Sequence, residues 1–209
     1  MDTASLLTVF LEAALIGLLI AAPVGPIGLL TIQRTLDRGW VAGLATGLGA
    51  ATADAVYGAV GAFGVTWLID ALTGIRVPLA LVGGAVMLWL AWQVGTAPVG
   101  EQAAGAPDAA GLAGLFGGTF VLTITNPATI FSFIAVFGAL SGALVQRPSP
   151  WWLIAGVFTG SVAWWLLLTL GVSWLRQRFT PTWRRVINRG SALLLAGFAL
   201  WQWGRLLAL

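Results

Sequence analysis

Asp54 is the residue that an apolar chain has least reason to hold. It lies inside the run Trp40 to Leu68, with no cation close in sequence. A carboxylate at membrane depth is expensive, so it ordinarily faces a pathway or a partner. Tyr57, the single tyrosine, follows three residues later. On a helix the two share a face, so the hydroxyl could reach the cavity that Asp54 faces. Upstream, Pro23-Val24-Gly25-Pro26 interrupts a run that is apolar from Leu6 to Ile32. Proline lacks the backbone N–H and clashes with the preceding turn, so this pair breaks or sharply kinks a helix. Thr123-Ile124-Thr125-Asn126-Pro127 sets a second proline into a second apolar run, behind polar groups. Asn and Thr oxygens can take the place of the freed backbone partners. Broken backbone at membrane depth survives only inside protein or beside a water-filled cavity. A broken helix next to a helix carrying a buried acid is a sequence pointer to a transporter site.

Elements that hold such residues must be apolar, and composition supplies them. Of 209 residues, 59% are hydrophobic and 8% charged, against about a quarter charged in soluble domains. The chain therefore reads as an all-α integral membrane protein. There is no Cys and no His, and all ten cations are Arg. Disulfides, thiolate or histidine metal sites, a Ser–His pair and a lysine Schiff base are thereby excluded. No cofactor is expected. The high pI reads as a membrane-orientation signal, with the lipid bilayer as partner and no nucleic acid. The first apolar run lacks a basic start and a small-residue cleavage site, and so reads as a retained helix.

A span needs about 20 apolar residues, and six fit. Helix 1 is expected over Leu6 to Thr35, broken at Pro23–Pro26, with Glu12 near the membrane surface. Gln33, Arg34, Asp37 and Arg38 then form a short polar loop ending at Gly39. Helix 2 follows from Trp40 to Leu68, where Gly43 and Gly47 allow close helix approach. Helix 3 runs from Val77 to Val94, helix 4 from Leu112 to Leu144 with its break at Pro127, helix 5 from Trp151 to Leu175 and helix 6 from Gly190 to Leu207. The basic stretch Arg176 to Arg189 joins the last two.

The halves look related. Ala42-Gly43-Leu44-Ala45-Thr46-Gly47 matches Ala155-Gly156-Val157-Phe158-Thr159-Gly160 as A-G-x-x-T-G, and each copy opens the helix after a proline-broken one. This predicts one transmembrane transporter domain over 1–209, with repeat 1 over 1–96, a small-residue linker over 97–110 and repeat 2 over 111–209. Three spans per half make the repeats inverted. Asp54 aligns with Leu167, so the site is expected to be asymmetric. Seven arginines fall on the side of loops 1–2, 3–4 and 5–6, and three on the other. The positive-inside bias makes the first side cytoplasmic and leaves both termini outside.

The stretch APVGPIGLLTIQRTLDRGWVAGLATGLGAATADAVYG resembles the N-terminal signature of the LysE/RhtB-type amino-acid exporters, and TNPATIFSF is similar to that family's Asn-Pro motif. Length and six-span layout agree over nearly the whole chain. Here the first break is Pro-Val-Gly-Pro, one residue longer than the family's usual Pro-Gly-Pro. The resemblance implies multi-pass placement in a bacterial-type cytoplasmic membrane, and export of amino acids or related small metabolites driven by the proton gradient or by exchange.

Within that implication each residue has an expected role. Pro23, Gly25 and Pro26 open helix 1, and the half-helix after Pro26 points its positive end at a substrate carboxylate. Thr125, Asn126 and Pro127 do the same from the other half. Asp54 takes the substrate ammonium or carries the coupling proton, with Tyr57 beside it. The bland alternative for Asp54 is capping of backbone amides freed by the nearby break. The glycine faces would permit a homodimer.

Other classes fit less well. An intramembrane hydrolase needs a base or paired carboxylates, and Asp54 is the one acid well inside a span. A non-transporting subunit leaves Asp54 unexplained and predicts no cavity between the breaks. The nearest rival is a related exporter of another small solute or a metal ion; a metal ion would favour several inward Asp, His, Cys or Met ligands, whereas the chain holds two Met and that one deep acid.

Overall fold

The computed structural model describes residues 3–23, 25–63, 76–96, 107–126, 129–133, 136, 150–175 and 181–207. Among these residues all regular structure is helical. The helices are α1 (Thr3–Ala21), α2 (Pro26–Arg38), α3 (Trp40–Ala62), α4 (Arg76–Thr96), α5 (Ala109–Ile124), α6 (Pro150–Leu175) and α7 (Pro181–Leu207), with a short helical stretch over 129–133.

The first break falls where the prolines put it. α1 ends at Ala21, α2 starts with Pro26 at its first position, and the two axes differ by 82°. Gly39 then turns the chain in one residue, at φ 91°, a backbone that side chains rarely adopt. Asp108 caps α5 by accepting from the Gly111 amide at 2.8 Å, as short polar side chains do at helix starts.

Two expected loops are helix instead. Gln33, Arg34, Asp37 and Arg38 complete α2, where Gln33 donates to Asp37 one turn on. Residues 181–189 of the basic stretch form the first turns of α7, opened by Pro181. Polarity marks where a chain leaves the apolar layer, not where its helix ends, and Arg and Gln are good helix formers. Residues 64–75, 97–106, 137–149 and 176–180, with the ends expected for helices 2 and 4 and most of the linker, lie outside the described residues.

The helices carry large apolar side chains on their outer faces as well as in their core. Leu7, Leu11, Leu15 and Leu19 recur every fourth residue on α1 and are all more than half exposed, and Trp92, Trp174 and Leu193 are exposed by over 70%. Thr31, Thr35, Thr46, Thr119, Thr123 and Thr169 are buried almost completely. Each donates its hydroxyl to the carbonyl four residues back, so it enters the interior already satisfied. An apolar exterior of this extent requires an apolar surrounding; this is a helical membrane protein.

Packing runs through small residues. α6 lies against α1 and α3, α3 against α5, α4 against α7, and α2 against α3, α6 and α7. A Cβ on Gly160 would come within 1.8 Å of the Ala14 carbonyl oxygen, and one on Gly17 within 2.1 Å of that of Val157. Gly49 meets the Phe116 carbonyl at 2.2 Å in the same way. Backbone touches backbone there, as in membrane bundles generally. Hydropathy is diluted by this glycine content. Among the described residues one unbroken helix, Pro150–Leu175, is long and apolar enough to cross a membrane, and Leu6–Ala21 with Pro26–Arg38 makes a second as a bent pair.

Candidate functional site

The two breaks and the acid meet. A cavity of ≈ 210 Å³ opens between α1, α2, α3, α6 and the second break. Pro23, Gly25, Pro26, Asp54 and Asn126 all line it. Thr123, Thr129 and Ser132 add hydroxyls, and Trp165 and Phe198 add ring surface.

Asp54 is buried, 3% exposed, on the inner face of α3. The Ser161 hydroxyl donates to its Oδ2 at 2.7 Å, and the Trp165 indole N–H donates to the Ser161 oxygen at 3.2 Å. The indole can only donate, so Ser161 has its own proton left to give to the carboxylate. This relay comes from α6, which Gly47 lets close in: a Cβ there would lie 2.5 Å from that of Trp165. Leu167, the partner of Asp54 in the repeat alignment, points outward at 63% exposure, so the two halves do not carry equivalent groups.

The start of α2 faces the same cavity. Its N-cap, Gly25, offers no side-chain cap, and Ile27 and Gly28 of the first turn line the space. Uncapped amides and the positive end of the helix dipole are thus turned toward an anion-sized volume. On the far side α5 stops at Ile124. Asn126 restarts the helix by accepting from the Ile130 amide at 3.1 Å.

Two expected members stand elsewhere. Tyr57 does not line the cavity: its hydroxyl donates to the Ile124 carbonyl and its ring stacks on Phe133 at 5.3 Å. It satisfies a carbonyl that the end of α5 leaves open. Thr125 also turns away, its hydroxyl donating to Val121 O at 2.7 Å. Pro127 lies outside the described residues. Glu12 sits on an exposed face of α1.

Sequence reasoning missed Ser161 and Trp165. The available signal was a serine next to Gly160 in a long apolar helix, with a tryptophan four residues on. It also read Arg34 as a loop cation. Arg34 is buried, and its Nη1 donates to Thr119 Oγ1 at 2.9 Å, Thr46 Oγ1 at 3.1 Å and Leu115 O at 3.4 Å. It clamps α2, α3 and α5 together about 12 Å along the helix from the break. Among the described residues no group of three acids or other metal ligands gathers.

The chain is similar to known proteins over most of its length. The family model described as LysE type translocator matches residues 18–201. The chemotactic transduction protein ChpE of Pseudomonas aeruginosa is 29% identical, the match covering 93% of this chain and 97% of that one. The uncharacterized membrane protein YahN of Escherichia coli is 30% identical over 81% and 77% of the two chains. The arginine exporter protein ArgO of Pectobacterium carotovorum is 27% identical over 92% and 95%. No solved structure matches. The chain belongs to the LysE type translocator family.

Proposed function

We propose that the protein exports amino acids or closely related zwitterions across the cytoplasmic membrane, and that the cavity beside Asp54 is where the substrate binds. One observation carries this reading: a carboxylate and an uncapped helix N-terminus line the same small space. An α-amino acid presents an ammonium and a carboxylate on one carbon, and each finds its complement there. Asn126, Thr123 and Ser132 add hydrogen-bonding groups for the zwitterion. Relatives bearing the names arginine exporter and putative amino acid efflux protein support the substrate class.

The fold proposed around this site has six spans in two inverted repeats. The packing pattern supports it. Count α1 with α2 as span 1, α3, α4, α5, α6 and α7 as spans 2 to 6. Then contacts 1–5 and 2–4 exchange when each span is replaced by its counterpart in the other half, while 2–5 and 3–6 map onto themselves. Close glycine approaches follow the same exchange: Gly160 of span 5 meets span 1, and Gly49 of span 2 meets span 4. The arginine-rich side is cytoplasmic, with both termini outside.

Asp54 is proposed to hold the substrate ammonium and, between cycles, the coupling proton. The test is efflux from proteoliposomes loaded with a panel of labelled amino acids under an imposed pH gradient. Gradient-driven efflux of at least one is expected from the wild type and its loss from Asp54→Asn. Retention of that efflux by Asp54→Asn would remove the proposed role.

A further inference from the structure

A second hollow opens beside the Asp54 cavity, and its lining is mostly apolar. It encloses ≈ 250 Å³ between the α2 start and α7, bounded by Gly25, Pro26, Leu194, Gly197, Phe198 and Trp201. Gly25, Pro26 and Phe198 border both spaces. The two are therefore neighbouring chambers, one with a carboxylate and hydroxyls, the other with rings and alkyl groups. Phe198 packs on Trp201 with ring centroids 5.2 Å apart. Gly197 borders the hollow on an exposed stretch of α7, and a Cβ built there meets nothing within 4 Å.

We infer that this bay takes the side chain of the substrate, and that the substrates are amino acids with apolar aliphatic or aromatic side chains, not dibasic ones. The inference rests on the export reading above. An α-carbon held between Asp54 and the α2 start has its side chain beside Gly25, Pro26 and Phe198, which are the boundary of the bay. A guanidinium or second ammonium entering it would give up hydration and meet no acceptor side chain. The ring faces of Phe198 and Trp201 offer a cation–π contact, which returns less than the hydration lost. The one carboxylate of the main cavity is already matched to the α-ammonium. An alkyl or aryl side chain gains from the same walls what a cation loses. Leu194 and Trp201 are also over half exposed on their outer sides, so an acyl chain of the bilayer is the competing occupant.

The experiment is counterflow in proteoliposomes with labelled leucine, phenylalanine, alanine and arginine, for wild type, Gly197→Ala and Gly197→Leu. Leucine and phenylalanine are expected to exceed arginine by about tenfold or more in kcat/KM. Gly197→Leu fills the bay and is expected to lower leucine and phenylalanine transport by about tenfold while alanine stays within about twofold. Alanine transport reports that the variant is folded, and Gly197→Ala should give an intermediate loss. Arginine moving as well as leucine would overturn the inference and leave the export reading standing. So would an unchanged leucine-to-alanine ratio in Gly197→Leu, the result expected if lipid fills the bay. If no amino acid moves, both readings fall.

Discussion

Ser161 on α6 gives its hydroxyl proton to Asp54 on α3 across 2.7 Å of buried space. The contact joins α3, which opens with the first A-G-x-x-T-G copy, to α6, which carries the second. A hydrogen bond to an ionised group is worth about 1.5–3 kcal/mol, and losing one partner leaves the other short. Ser161→Ala strips a donor from Asp54 and an acceptor from the Trp165 indole together. The expected result is a lower melting temperature in detergent and weaker substrate binding, with Ser161→Thr restoring most of both. Unchanged melting and binding in Ser161→Ala would mean the contact holds nothing.

Gly160 is where α6 rides on α1. Any side chain there must displace the Ala14 carbonyl, since a Cβ would sit 1.8 Å from it. Overpacking of this kind costs about 1–3 kcal/mol or more. Gly160→Val is expected to melt well below the wild type and to aggregate during purification. Gly118 has open space around its would-be Cβ. Gly118→Ala should therefore be neutral, or stabilising by about 0.5–1 kcal/mol through helix propensity.

Arg34 holds three helices with one terminal nitrogen. Lysine keeps the charge, but its stem is one atom shorter and does not carry the ammonium to where that nitrogen stands. Arg34→Lys is expected to lose about 1.5–3 kcal/mol of stability, and Arg34→Ala to lose at least as much. Neither should alter the order of preference among substrates, because the guanidinium is bound to Thr46, Thr119 and Leu115 and does not line the cavity. Chemical denaturation and a transport panel on the same preparations check both halves.

Tyr57→Phe separates two readings of that residue. Its hydroxyl meets the Ile124 carbonyl, so the variant leaves a part-buried acceptor open, at about 0.5–1.5 kcal/mol. The melting temperature should fall while substrate KM stays put. A large rise in KM with unchanged melting would return Tyr57 to the binding site.

Legibility differed with the physics of each signal. The prolines announced the first break because the lost N–H is a local property of the residue type. Asp54 announced the cavity it lines because no apolar environment tolerates a carboxylate cheaply. The placement of Tyr57 and Thr125 was misread because a shared helix face says nothing about which neighbour arrives opposite it. Ser161 was hidden for the same reason: a hydroxyl can satisfy itself within a helix, as the six buried threonines do, so its type alone does not reveal a distant partner. Arg34 and the start of α7 were misplaced because apolarity was used to end helices, whereas it only marks immersion.

Substrate is expected to enter the space beside Asp54. The chain has no cysteine, so Ser132→Cys places one thiol on the cavity wall. The rate at which a water-soluble thiol reagent labels that protein, with and without a transported amino acid, is the direct measurement. The expected result is labelling from water that the amino acid slows severalfold, with the protection lost when Asp54→Asn is added. Labelling that no amino acid changes would contradict it.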